Sequence, residues 1–260
     1  MTKLVRYSVG SRTAYGILED GSTPENGIIA EVEGTLFSHK LTGVRRRLSE
    51  VTLLCPGTPG KVLAVGRNYK SHLGSRPQPS QPEIFYKPVS CLQDPEAPIV
   101  IPRDSTDLHF EGELVLVIGK RVRRASKDDA RAAIFGVTCG NDISERAWQS
   151  GPAKDLQWWR AKGSDTFGPF GPAVVTGVDY GNLRLQSRLN GAVVQDQTTA
   201  DLIFDCATVV SFISSYVTLE QGDLIYTGTP GETRAMKPGD VVEVEIENIG
   251  VLHNPVVAES

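Results

Sequence analysis

The segment Glu113-Leu114-Val115-Leu116-Val117-Ile118 carries an apolar side chain at every position after its glutamate. Successive side chains of a strand point to opposite faces, so such a run has to be covered from above and below. A chain that contains it must build a sheet with a core on each side. The 260 residues suffice for one substantial domain and a small appendage. Hydrophobic residues are 40% of the chain and charged residues 22%, which excludes disordered and fibrous classes. A net charge of -4 argues against a partner of duplex nucleic acid, which is met by a basic face. The short run Arg45-Arg46-Arg47 reads as a solvated face.

No stretch approaches the roughly 20 apolar residues that cross a bilayer. Met1–Gly10 has no apolar core of the signal-peptide kind. Cys55, Cys91, Cys139 and Cys206 are far apart and form no CxxC spacing, as expected of thiols in a reducing compartment. A cytoplasmic protein with no membrane partner is the expectation.

Along the chain, Val5–Val9 and Ala14–Leu18 read as strands around a turn at Gly10-Ser11, and Ile28–Val32 as a third. Pro56-Gly57-Thr58-Pro59-Gly60 punctuates the chain, so residues 1–58 are expected to be a small β-rich domain and 59–260 the main one. Strands are expected at Lys61–Val65, Glu113–Ile118, Ile134–Thr138, Leu224–Thr227, Val241–Ile246 and Val251–Val257. Leu183–Val194 reads as a hairpin around Asn190-Gly191. Ser126 opens a helix that Gly136 closes, and Asp205–Val217 places Cys206, Val209, Val210, Ile213 and Val217 on one stripe of a second helix. Strands outnumber helices, which predicts a mixed, β-dominated (α+β) fold and not a doubly wound α/β sheet.

Five segments carry candidate chemistry. Glu111 and Glu113, two apart, point to the same side if extended, at the mouth of the apolar strand. Two adjacent carboxylates near a core need a neutralising partner, and carboxylate oxygens suit magnesium, manganese or calcium. The competing reading is a strand end with two solvated glutamates. In Gly140-Asn141-Asp142, Asp142 could be a third ligand or could cap the short helix that follows. Arg146 and Gln149, four and seven residues after Asp142, share a face of that helix and could meet an anion. Trp158 to Pro172 reads as a long Gly/Pro/aromatic loop carrying Lys162, a cation for a carboxylate or enolate or else a surface lysine. Thr229 lies in the turn Thr227-Gly228-Thr229-Pro230-Gly231, which could hold a carboxylate or be a simple turn. His72 follows a strand and short turn and could take a proton from water or make a structural hydrogen bond.

Taken in this order, the five segments resemble the fumarylacetoacetate hydrolase family over roughly residues 60 to 257, and the N-terminal piece is similar to that family's variable leader. The resemblance implies folded-over sheets forming a β-sandwich roll, in a homodimer. It implies one magnesium or manganese ion on positions matching Glu111, Glu113 and Asp142. Lys162 matches the lysine near the 2-oxo acid end of the substrate, Arg146, Gln149 and Thr229 match substrate contacts, and His72 matches the water-activating histidine. Many members carry a glutamate three residues after that histidine; this chain has Ser75. The turn after Thr229, Gly231-Glu232-Thr233-Arg234, is shorter than usual.

The activity so implied is metal-dependent hydrolysis of a carbon–carbon bond in an acylpyruvate-type substrate. Decarboxylation or isomerisation of a 2-oxo or 2-hydroxy-dienoic diacid is the alternative at the same site, and a non-catalytic 2-oxo acid binding protein is a third. Three carboxylates and one divalent ion leave a negative charge, so Lys162 and Arg146 would be needed to draw in an anionic substrate.

Overall fold

The computed structural model describes residues 1–19, 21 and 26–260. In chain order the elements are β1 (Thr2–Val9), β2 (Arg12–Leu18), β3 (Ile28–Gly34), β4 (His39–Arg47), β5 (Thr52–Leu54), β6 (Val62–Gly66), β7 (Glu83–Lys87), β8 (Leu92–Gln93), β9 (Ile99–Ile101), β10 (Leu108–His109) and β11 (Gly112–Ile118). There follow α1 (Lys127–Arg131), β12 (Ile134–Asn141), β13 (Ser144–Glu145), α2 (Arg146–Gln149), β14 (Gly168–Thr176), β15 (Arg184–Leu189), β16 (Ala192–Thr198), α3 (Cys206–Tyr216), β17 (Leu224–Tyr226), β18 (Val241–Ile246) and β19 (Gly250–Ala258).

The large sheet runs β4-β3-β2-β1-β14-β12-β11-β17-β6-β7, with β5 on β1 and β8 on β14. A second sheet runs β16-β15-β18-β19-β9, and β10 pairs with β13. β1 joins the N-terminal strands to β14 through Thr2↔Thr176 to Leu4↔Val174, so hydrogen bonding is continuous from the first strands into the main sheet.

β11 lies inside the large sheet and is buried at every position. Leu114, Leu116 and Ile118 face one core, shared with Val209, Val210 and Ile213 of α3 and with Leu185, Val244 and Ile246 of the second sheet. Val115 and Val117 face the other, with Val62, Ala64, Phe170, Val174 and Leu4. Each of these buried Val, Leu, Ile and Phe side chains contributes on the order of 2 kcal/mol relative to exposure. The result is a β-dominated roll of two packed sheets, with its helices laid on the outside.

Local chemistry explains several elements. Asn190 and Gly191 both take positive φ, 52° and 77°, the turn that matches a right-handed hairpin twist. Asp205 caps α3 by accepting from the Thr208 N–H at 2.7 Å. All four cysteines are free and buried. Among the described residues no helix is long and apolar enough to cross a membrane.

Three expectations need correction. Ser126 does cap α1, accepting from the Asp129 N–H, but the helix stops at Arg131. Gly136 is not its terminator: it pairs with Val117 inside β12, where a Cβ would lie 2.7 Å from the Val175 carbonyl oxygen. The supposed loop reaching Pro172 gives way at Gly168 to β14, a central strand between β12 and β1. Its register with β12 shifts between the Gly171 and Val175 pairs, so Pro172, which has no N–H to offer, falls where the ladder is interrupted. The basic run alternates along β4, and while Arg45 and Arg47 are exposed, Arg46 turns in to pair with Glu31 at 2.9 Å.

Candidate active site

At the sheet's end, Glu111, Glu113 and Asp142 converge. All three are buried, and one oxygen from each lies within 4.8 Å of the others. β11 and β12 pair Gly112 with Asn141, which sets the two acidic segments side by side. The Asp142 N–H donates to the Glu111 carbonyl at 2.8 Å, and the Glu111 N–H to Asn141 Oδ1 at 2.9 Å. Gly228 takes a φ of +103°, available to glycine, and aims its N–H at Glu113 Oε2, 2.7 Å away.

Three cations meet these carboxylates. Lys162 Nζ bridges Glu111 Oε2 at 2.6 Å and Asp142 Oδ2 at 2.7 Å. Arg146 pairs with Glu111 Oε1 at 2.6 Å. Lys87, entirely buried at the end of β7, donates to Asp142 Oδ1 at 2.6 Å and to the Lys162 carbonyl. Burial works against the Glu111 carboxylate, but Lys162 and then Arg146 outweigh it and hold the group below the usual range. Glu113 goes the other way: burial, then the charges of Asp142 and Glu111, push it well above. Burial lowers the Lys87 ammonium, yet Asp142 more than offsets this and raises it.

His72 stands on the rim. Its Nδ1 lies 2.7 Å from the Gly231 carbonyl oxygen, and its Nε2 lies 3.8 Å from Glu111 Oε1. A carbonyl can only accept, so Nδ1 carries a proton and Nε2 is the nitrogen turned toward the acidic group. Ser71 fastens the same turn, because its Oγ accepts from the Gly231 N–H at 2.9 Å. Ser75 is exposed.

These groups line a cavity of about 400 Å3. All eight residues singled out in the sequence border it: His72, Glu111, Glu113, Asp142, Arg146, Gln149, Lys162 and Thr229. Asp142 is not a helix cap; Glu145 caps α2, accepting from the Ala147 N–H at 3.0 Å. Arg146 and Gln149 share a face, with Arg146 Nη1 donating to Gln149 Oε1 at 2.7 Å. The Thr229 hydroxyl is committed: it donates to the Gly112 carbonyl at 2.9 Å and accepts from Gln195 Nε2 at 2.9 Å. Phe85 and Trp158 form an edge-to-face wall, ring centres 5.5 Å apart.

Sequence reading missed Lys87, Gln195, Thr233 and Phe85, while Trp158 opens the aromatic loop singled out there. Lys87 had a signal, since period 2 over Glu83–Lys87 sets Glu83, Phe85 and Lys87 on one side of a strand. Gln195 and Thr233 had none, because the sheet packing that brings them in is non-local. Thr233 Oγ1 accepts from Arg146 Nη2 at 3.0 Å and contacts His109 Nδ1 at 2.8 Å.

The arrangement suits a divalent ion in its donor set: oxygen ligands from three buried acids, one of which, Glu113, makes no ion pair among the described residues and is held well above its ordinary pKa by burial and by its acidic neighbours.

Residues 61–257 match the family described as fumarylacetoacetate (FAA) hydrolase, C-terminal, and residues 2–56 match the Rv2993c-like N-terminal family. A Bos taurus protein named oxaloacetate tautomerase FAHD2A, mitochondrial, is 41% identical over 222 residues, 80% of this chain and 70% of its own. The crystal structure of a 2-hydroxyhepta-2,4-diene-1,7-dioate isomerase from Mycobacterium marinum superimposes with a TM-score of 0.91 at 38% identity, covering 100% of both chains. A 5-carboxymethyl-2-hydroxymuconate delta-isomerase from Mycobacterium smegmatis also gives 0.91 at 38% identity, covering 99% of this chain and 100% of its own.

Proposed function

The chain belongs to the fumarylacetoacetate hydrolase family, and from that premise we propose that it isomerises a short 2-oxo dicarboxylic acid between its keto and enol forms. Glu111, Glu113 and Asp142 would hold one magnesium or manganese ion, whose Lewis acidity favours an enolate when it is bound. Lys162 and Arg146 orient the 2-oxo carboxylate end, and Gln149 is held beside them by its bond to Arg146. His72, through Nε2, takes the proton from the carbon next to the oxo group and passes it to the oxo oxygen, and does the reverse in the direction of the ketone. Phe85 and Trp158 shield the planar intermediate from water.

The observation that carries this reading is the partner of His72. The backbone carbonyl of Gly231 fixes the ring so that Nε2 faces the acidic group, the place from which it can move a proton to and from a carbon held there. Charge supports an anionic substrate as well: Lys87, Lys162 and Arg146 already meet the Glu111 and Asp142 carboxylates, so a bound divalent ion makes the floor net positive. The relatives bearing tautomerase and isomerase names favour the same chemistry over hydrolysis of an acylpyruvate.

The test is the fate of a 2-oxo diacid with added manganese. In deuterated water, exchange at the carbon beside the oxo group is expected at a rate that follows enzyme concentration. In heavy-oxygen water, label in a newly formed carboxylate would establish hydrolysis and overturn the proposal.

A further inference from the structure

The cavity contains a second basic feature, at its mouth, that the isomerisation scheme does not use. Two arginines border it there, Arg67 and Arg76. Their circumstances differ. Arg67 is neutralised by Glu83, to which both Nε and Nη2 donate. Arg76 has no carboxylate partner among the described residues. Its Nε donates to the Leu73 carbonyl at 3.0 Å and its Nη2 to the His72 carbonyl at 3.2 Å. These bonds anchor the guanidinium without cancelling its charge, and they anchor it to the turn that carries His72. The side chain is exposed, so it meets any ligand that enters.

We propose that Arg76 is the specificity-determining residue for the far end of the substrate: it binds the distal carboxylate of a 2-oxo dicarboxylic acid whose oxo acid end rests on the floor. This deepens the proposed function and rests on it for the orientation of the ligand. The cavity is then bipolar. Lys162 and Arg146 take the first carboxylate, Phe85 and Trp158 flank the carbon chain, and Arg76 closes on the second. A guanidinium offers the planar pair of donors that matches a carboxylate. A neutral acyl group at this end would leave the charge of Arg76 unanswered. The residue next to Ser75, where the resemblance led us to expect an acid, is therefore a base of opposite use.

Binding measured by calorimetry tests this without requiring turnover. The probes, with manganese present, are oxalate, 2-oxoglutarate and 2-oxopentanoate; the last two differ only in the distal carboxylate. Wild type is expected to favour 2-oxoglutarate over 2-oxopentanoate by about tenfold, as one exposed charge-assisted carboxylate pair allows. Arg76→Gln should cut that preference to about twofold, and Arg76→Lys should keep most of it. Oxalate, too short to reach the mouth, should bind all three proteins alike. An undiminished preference in Arg76→Gln, or none in wild type, overturns the assignment. Failure of all three probes to bind while manganese binds would instead strike the floor of the site and the isomerase reading with it, and would remove this inference too.

Discussion

The Nδ1 of His72 sits 2.7 Å from the carbonyl oxygen of Gly231, and this one contact decides which nitrogen of the ring faces the three acids. Proton transfer by a positioned base contributes roughly 100-fold or more to a rate. Replacing His72 by Asn should therefore lower the exchange rate of a 2-oxo diacid by about that factor, with oxalate affinity within about twofold of wild type. Retention of full exchange would show that another group moves the proton.

Lys87 has no water to fall back on. It lies fully buried between the Asp142 carboxylate and the Lys162 carbonyl. Removing one partner of a buried pair costs about 3 kcal/mol because the other charge is left without compensation. Lys87→Met should accordingly lower the melting temperature by roughly 8 °C, measured by calorimetry in the absence of metal. A change under about 1 °C would mean that Lys162 alone satisfies Asp142.

Glu113 should separate metal binding from folding. Burial and the charges of Asp142 and Glu111 raise its carboxyl well above the usual value, which favours the protonated form in the metal-free protein. Glu113→Gln is then close to an imitation of that state. Its melting temperature without metal should match wild type within about 2 °C. Manganese at a hundred times its Kd stabilises wild type by about 2.7 kcal/mol, but should give the variant almost nothing. Equal stabilisation of both proteins would remove Glu113 from the ligand set.

How much of this was legible beforehand follows from range. The doubly buried β11, the Asn190-Gly191 turn and the stripe of α3 are local patterns, and each appears where the sequence puts it. β14 was hidden by Pro169 and Pro172, which normally argue against a central strand. The segments bearing Glu111 and Asp142 could be singled out because buried strands ending in acids are unusual, and Lys162 because it sits in a loop dense in glycine, proline and aromatic residues. Gln195 could not. It reaches from β16 in the second sheet to tie Gly112 to Thr229 and Pro230, and only the packing of two sheets creates that link.

The N-terminal sheet carries its own pH dependence. Glu31 receives Arg12, Arg46 and Tyr7, and its pKa falls from 4.5 to about 2, chiefly through the Arg12 hydrogen bond acting against burial. A carboxyl lowered on folding stabilises fully above its ordinary value and loses that contribution as pH falls through the folded one. Stability should thus decline from about pH 4.5 down to about 2, and Glu31→Gln should flatten that limb. Chemical denaturation at a series of pH values reads this directly; an unchanged slope in the variant would mean other carboxylates dominate.

Gly112 explains why the two glutamates are separated by a residue without a side chain. A Cβ there would stand 2.1 Å from Ser187 Oγ on β15, with Gln195 Oε1 and Val244 Cγ1 each at 3.3 Å. The second sheet therefore presses onto the backbone between two candidate ligands, and Ser187 Oγ is itself buried with no hydrogen-bond partner among the described residues. Overpacking of this kind costs about 2 kcal/mol, and the relief available is movement of β11, which would pull Glu111 and Glu113 out of line. Gly112→Ala should lower stability by about that amount and weaken manganese binding at least tenfold. Ser187→Ala removes the nearest clashing atom and, alone, should change stability by less than about 1 kcal/mol. Combining the two should restore half or more of what Gly112→Ala loses, a coupling readable in a double-mutant cycle by calorimetry. Strict additivity would show that the strand yields elsewhere, and that the close approach of the second sheet does not hold the acidic pair in register.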